Sequence, residues 1–128
     1  MKSARIFFVL ASVFGLTGVG LGAFGAHSLK STISSEMLSV LEIGVRYQMY
    51  HTFALLFAAW FLQSKHNRKI ELAGWCFGGG VVLFSGSLYL LAISSIRGLR
   101  LITPLGGLLL LAGWAMLAWG LLDKKSAE

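Results

Sequence analysis

The feature that most constrains this chain is a set of four long apolar runs, Ile6–Ala26, Tyr47–Leu62, Leu72–Ile96 and Leu101–Leu122. A helix needs about 20 mostly apolar residues to cross the hydrocarbon core of a bilayer. The first, third and fourth runs reach that length without an internal charge. The second is strictly apolar only from Phe53 to Leu62 and must borrow Ile43–Thr52 to span. The runs are continuous rather than alternating, which argues against the strands of a membrane barrel. The expected fold is therefore an all-α integral membrane domain over residues 1–128: a four-transmembrane-helix bundle with an amphipathic helix between helices one and two.

Composition agrees. Hydrophobic residues make up 56% of the 128 and charged residues 12%, and the mean hydropathy is +0.77. A soluble domain this small could not bury so much apolar surface, whereas a bilayer removes the need to. The formal charge of +6 lies in short clusters between the runs. That layout suits basic loops near anionic lipid and lacks the basic stripe of a nucleic-acid-binding face; membrane lipids are the expected partners, with a homo-oligomer or other membrane proteins possible and no nucleic acid. The only cysteine, Cys76, sits in an apolar run with no activating neighbour and reads as a small buried hydrophobe.

The first run also has a basic start, Lys2 and Arg5, and a small-residue stretch Ala23-Phe24-Gly25, as a signal peptide would. It is longer than a typical signal h-region of about 7–15 residues and is read as a retained helix. The long connection His27–Arg46 contains a helix start at Ser34 or Ser35 followed by Glu36. Met37, Leu38, Leu41 and Val45 then form one apolar face, either interfacial or packed on protein, that continues into the second run, with Gly44 as a site for a bend. Leu72-Ala73-Gly74-Trp75 echoes Leu111-Ala112-Gly113-Trp114, but at different helix depths, so it is not read as a repeat.

Two constellations stand out. Ala11, Gly15, Gly18, Gly22 and Gly25 recur at steps of four and three, and Gly74 with Gly78 makes a second small-xxx-small pair; small residues let helix backbones approach closely in lipid. The other is polar: His27, Glu42, Arg46, Tyr47, Gln48, Tyr50 and His51. Glu42–Arg46, Arg46–Tyr50 and Tyr47–His51 are each four apart and so neighbours on a helix. Polar groups in a membrane segment are costly and often functional, yet tyrosine and arginine also anchor at interfaces. The short second run places this segment as a polar girdle at one interface. No ligand-pair spacing for a metal, nucleophile elbow, phosphate loop or dinucleotide fingerprint occurs, so no metal, cofactor or catalytic residue is expected and the chain is not read as an enzyme. Pro104 suits a first helical turn.

Gly22-Ala23-Phe24-Gly25-Ala26-His27, Arg46-Tyr47-Gln48-Met49-Tyr50-His51, Phe84-Ser85-Gly86-Ser87-Leu88-Tyr89, and Thr103-Pro104-Leu105-Gly106-Gly107 with Gly113-Trp114 occur in this order. The chain thereby resembles the YgdD family of small four-helix proteins of the bacterial inner membrane, over nearly its whole length. The resemblance implies fold and location, and no activity, cofactor or catalytic residue. Three function classes follow: a structural or accessory component acting through helix contacts; a small oligomeric transporter or channel using Glu42–His51; and, last, an intramembrane enzyme. A transporter predicts a polar cavity reaching the bilayer midplane; an accessory protein predicts a dry core and an exposed small-residue or aromatic face. Seven lysines and arginines (Lys2, Arg5, Lys65, Arg68, Lys69, Lys124, Lys125) against four (Lys30, Arg46, Arg97, Arg100) place both termini in the cytoplasm by the positive-inside bias.

Overall fold

The computed structural model describes residues 2–126 and is all-helical among them. The first helical stretch comprises α1 (Lys2–Val19), a π-helical segment (Gly20–Gly25) and the short α2 (Ala26–Leu29). Then come α3 (Ser35–Ser64), α4 (Arg68–Ser94), a 3₁₀ turn (Arg97–Leu101) and α5 (Thr103–Leu122). Three stretches are long and apolar enough to cross a membrane, namely Lys2–Leu29, Arg68–Ser94 and Arg97–Leu122. The 30-residue α3 is long enough, but its charged and polar first half dilutes its hydropathy.

Local chemistry sets the helix ends. Ser34 caps α3 by accepting from the Met37 amide (3.2 Å), and the amphipathic segment that follows is continuous with the rest of α3 rather than a separate helix. Asn67 caps α4 by accepting from the Lys69 and Ile70 amides. Its side chain also donates to the Gly120 carbonyl (3.0 Å), tying the start of α4 to the end of α5. Nearby, Lys69 pairs with Asp123 at 2.6 Å and Ser3 bonds Glu71. The hydrogen bond from Lys69 holds the Asp123 carboxyl below its usual range. The start of α1, the α3–α4 connection and the end of α5 thus share one end of the bundle. The α2–α3 connection and the 3₁₀ turn share the other, where Arg100 lies 4.0 Å from Glu36. The four long helices alternate in direction.

The four long helices pack in the order α1–α3–α4–α5, with α3 between α1 and α4. A core of Phe7, Ala11, Leu55, Ala58, Leu62, Ile70, Phe77 and Leu117 draws on all four. Glycines set the spacing. A Cβ on Gly18 would stand 2.6 Å from Met49 Sδ, and one on Gly22 would stand 3.1 Å from Val45, so the end of α1 and the start of the π segment lie against α3. Gly15 is looser, 3.8 Å from Thr52. Gly25 meets only its own helix, at Leu21 and Gly20. The π segment explains this: its i→i+5 turns are wider than α turns, so a 3.6-residue period read through it loses phase. Gly74 receives the Phe7 ring and Gly78 faces Leu10, both on α1. Along α5 a stripe that the sequence reading passed over, Gly106, Leu110, Gly113, Leu117 and Gly120, forms the buried face against α4.

Gly18→Leu is expected to lower the detergent-solubilised thermal midpoint well below that of Leu16→Ile, whose side chain is 75% exposed, because overpacking a closed helix contact typically costs about 1–3 kcal/mol. Equal midpoints would show that this face of α1 tolerates bulk.

Candidate functional site

The polar residues of α3 divide by face. Glu42 and Arg46 are exposed, and no ion pair joins them among the described residues. Their i,i+4 spacing permits a pair, but exposed charges gain little from one, and their heads stay outside the bundle. Tyr47 and Tyr50 are also exposed, at 40% and 55%. Gln48 and His51 are turned inward, at 3% and 4%. His51 stands about 20 Å from the Ser64 end of α3 at 1.5 Å per residue, so these two lie near mid-height of the bundle rather than in a girdle at one rim. His27 is exposed on α2 and takes no part in their hydrogen bonds.

Gln48 is fully engaged. Its Nε2 donates to the Phe14 carbonyl (2.7 Å) and to Thr17 Oγ1 (2.8 Å) on α1, while its Oε1 accepts from the Tyr89 hydroxyl of α4 (2.5 Å). One amide therefore links three helices. Two glycines admit these contacts. Gly18 lies one turn beyond Phe14, and a Cβ there would come within 3.3 Å of Nε2. Gly44 makes room for the Tyr89 ring, which a Cβ would meet at 2.7 Å, and its carbonyl accepts from Ser85 Oγ (2.7 Å). Thr52 completes the cluster by donating back to the Gln48 carbonyl (2.8 Å).

His51 faces the other way, toward α5. Trp114 Nε1 donates to His51 Nε2 (3.0 Å), and His51 Nδ1 lies 2.6 Å from the Tyr47 carbonyl. An indole N–H can only donate, so Nε2 is the acceptor and Nδ1 carries the proton to Tyr47. The imidazole in this arrangement is neutral with both nitrogens occupied. Its ring sits among Phe77, Trp114 and Tyr47, with centroids 5.7, 5.9 and 6.4 Å away. Among the described residues every buried side-chain nitrogen or oxygen has a partner, and no three His, Cys, Asp or Glu residues gather to hold a metal.

Outside the His51–Trp114 bond, α3 and α5 diverge over α4 and leave an open groove of about 660 Å³, lined by Tyr47, Tyr50, Phe84, Pro104, Leu111 and Trp114 among others. Its walls are almost wholly apolar. Sequence reasoning singled out Gln48, His51 and Tyr47, quoted Tyr89 and Trp114 only within longer motifs, and passed over Phe14 and Thr17. Thr17, Tyr89 and Trp114 carry the clue, since each puts a hydrogen-bonding group inside an otherwise apolar run.

Comparison with known proteins places the chain. The profile of a family described as a protein of unknown function, DUF423, matches residues 21–107. The chain belongs to that family. The match contains α3, α4 and both connections at the Arg100 end, hence Gln48, His51 and Tyr89. The UPF0382 membrane protein YwdK of Bacillus subtilis is 44% identical over 115 residues, 88% of this chain and 93% of its own. The UPF0382 inner membrane protein YgdD of Escherichia coli K12 is 37% identical over 123 residues, 96% and 94% of the two chains. A Staphylococcus haemolyticus relative, the UPF0382 membrane protein SH2409, reaches 45% over 113 residues. No solved structure matches the chain. The protein is an integral membrane protein of this uncharacterised family, as its resemblance implies.

Proposed function

We propose that the protein is a four-span accessory component of the bacterial inner membrane that acts through contacts within the bilayer, rather than an enzyme or a conducting pore. The observation that carries this reading is that the polar residues at mid-height close on one another. Gln48 is satisfied by Phe14, Thr17 and Tyr89, and His51 by Tyr47 and Trp114. A transporter needs polar groups lining a path, whereas the groove beside His51 is apolar and opens sideways. The outer surface is aromatic and aliphatic, with Trp60, Trp75 and Trp119 exposed.

Two features support counting α3 as the fourth span. It packs between α1 and α4, and its inward Gln48 bonds to Phe14 and Thr17 of the first and to Tyr89 of the second. With α3 spanning, the more basic end lies with both termini, on the cytoplasmic side by the positive-inside bias. Proteoliposomes holding the full chain and a trapped pH dye are expected to dissipate an imposed proton gradient no faster than protein-free vesicles. A gradient collapse abolished by His51→Ala would establish the transporter reading instead. Reporter fusions at the C-terminal end test the orientation separately, with periplasmic activity reversing it.

A further inference from the structure

The groove between α3 and α5 has a direction. Its deep end is the His51–Trp114 pair, whose ring nitrogens are already hydrogen-bonded, to each other and to the Tyr47 carbonyl. Toward the 3₁₀ turn it continues past Phe84 and Pro104 into a second hollow of about 480 Å³, whose lining includes Arg100 and Glu36. From Pro104 to Trp114 is ten residues of α5, about 15 Å at 1.5 Å per residue. That is half of a hydrocarbon core about 30 Å thick, so the groove is one leaflet deep. Its main part falls within the roughly 300–1,000 Å³ of ligand pockets.

The charged residues lining the second hollow are Arg100 and Glu36; Arg97 lies three positions before Arg100 on the 3₁₀ turn leading into α5, and Arg46 is exposed on α3. Among the described residues Arg97 and Arg46 have no carboxylate within 4.0 Å. Arg100 meets Glu36 only at 4.0 Å, with both side chains more than half exposed, a contact worth little in water that leaves its donors open. An apolar trough one leaflet long, with Arg100 in the lining of its outer hollow and Arg97 on the same turn, complements an acyl chain joined to an anionic phosphate.

We propose that this groove binds one acyl chain of an anionic phospholipid, with the phosphate held at Arg97 and Arg100, in the leaflet on the side of the α2–α3 connection. Phe84 floors the chain, the His51–Trp114 pair stops its end, and the occupied hydrogen bonds of that pair leave nothing for a polar tail to bind. The proposal rests on the four-span reading, which reporter fusions at both termini test on their own, since four spans put both termini on one side and three put them on opposite sides.

The test uses the full chain, purified and delipidated, with retention of phosphatidylglycerol and phosphatidylcholine compared by native mass spectrometry. A basic residue near anionic lipid contributes about 1 kcal/mol, or about fivefold in affinity, so wild type is expected to retain phosphatidylglycerol at least about fivefold better. Arg97→Gln with Arg100→Gln should bring the two lipids level. Leu111→Trp, at a side chain 67% exposed, should fill the groove and reduce retention of both while the thermal midpoint holds. Equal retention of the two lipids by wild type, or phosphatidylglycerol retention indifferent to Leu111→Trp, would overturn the proposal. So would a Leu111→Cys variant that crosslinks quantitatively to a second copy, since the groove would then be an interface between chains.

Discussion

Gly106→Ala is expected to destabilise the bundle by about 3 kcal/mol, the upper end of what overpacking usually costs. A Cβ at this position would stand 2.3 Å from the Phe84 amide nitrogen and 2.7 Å from its Cα. These are backbone atoms, unable to rotate aside as the Met49 side chain can opposite Gly18. Relief requires α5 to move away from α4. That movement would loosen the Gly113 contact with the Phe77 ring and the Gly120 contact with Ile70, both of which depend on the same close approach. Gly86→Ala supplies the control. Nothing lies within 4 Å of a Cβ there, and a helical glycine is typically about 0.5–1 kcal/mol less favourable than alanine, so this variant should be neutral or slightly stabilised. Unfolding in mixed micelles reads both. A Gly106→Ala protein as stable as Gly86→Ala would mean that the α4–α5 contact is not close.

The second large effect belongs to Gln48. Gln48→Met keeps the length of the side chain but removes the acceptor of the Tyr89 hydroxyl and the donors to Phe14 and Thr17. Leaving the half-buried Tyr89 hydroxyl with only Ser85 beside it costs toward the lower part of about 1–3 kcal/mol, and with the donors to Phe14 and Thr17 also lost about 2 kcal/mol is the expected total. Thr17 contributes little to that loss, because its hydroxyl already donates to the Val13 carbonyl (2.8 Å). Tyr89→Phe in the Gln48→Met background should therefore cost almost nothing further. In the wild-type background it should cost a measurable amount. A double-mutant cycle isolates the coupling. Such cycles for hydrogen bonds inside a membrane protein have averaged about 0.6 kcal/mol with a maximum near 1.7, and the short Tyr89–Gln48 bond should fall in the upper half. Strict additivity would remove Gln48 as the link among α1, α3 and α4.

The fold class was legible because apolar run length is a strong signal: three of the four runs correspond to helices long and apolar enough to span. The small-residue pattern of α1 was legible through Gly18, since a 3.6-residue period holds as long as the helix is α, and Gly22, early in the π segment, still reaches α3. The interior of the site was less legible. Spacing shows that Glu42 can reach Arg46 and that Tyr47 can reach His51, because those are contacts within one helix. It cannot show that Gln48 bonds to Phe14 and Tyr89, or that His51 bonds to Trp114, 63 positions away. Those bonds depend on how α3 is rotated about its axis. The rotation is fixed by Gly18 and Gly44, whose missing side chains are informative only once their neighbours are known. The same limit hid the α5 stripe. Pro104, Gly106 and Gly107 make sense as a helix start, while the role of Gly106 depends on the backbone of Phe84 across the interface.

The π-helical segment between α1 and α2 has an evolutionary consequence. A π turn closes i→i+5 and so holds one residue more than an α turn. Here it lies beyond the packed Gly18 contact, and none of its own residues is buried. Gain or loss of one residue between Gly22 and Gly25 would rotate the short α2 and the start of the following connection, leaving the Gly22 contact with Val45, the Gln48 junction and the α5 stripe in place. This segment can therefore absorb differences in length among relatives that the tightly spaced helices elsewhere cannot.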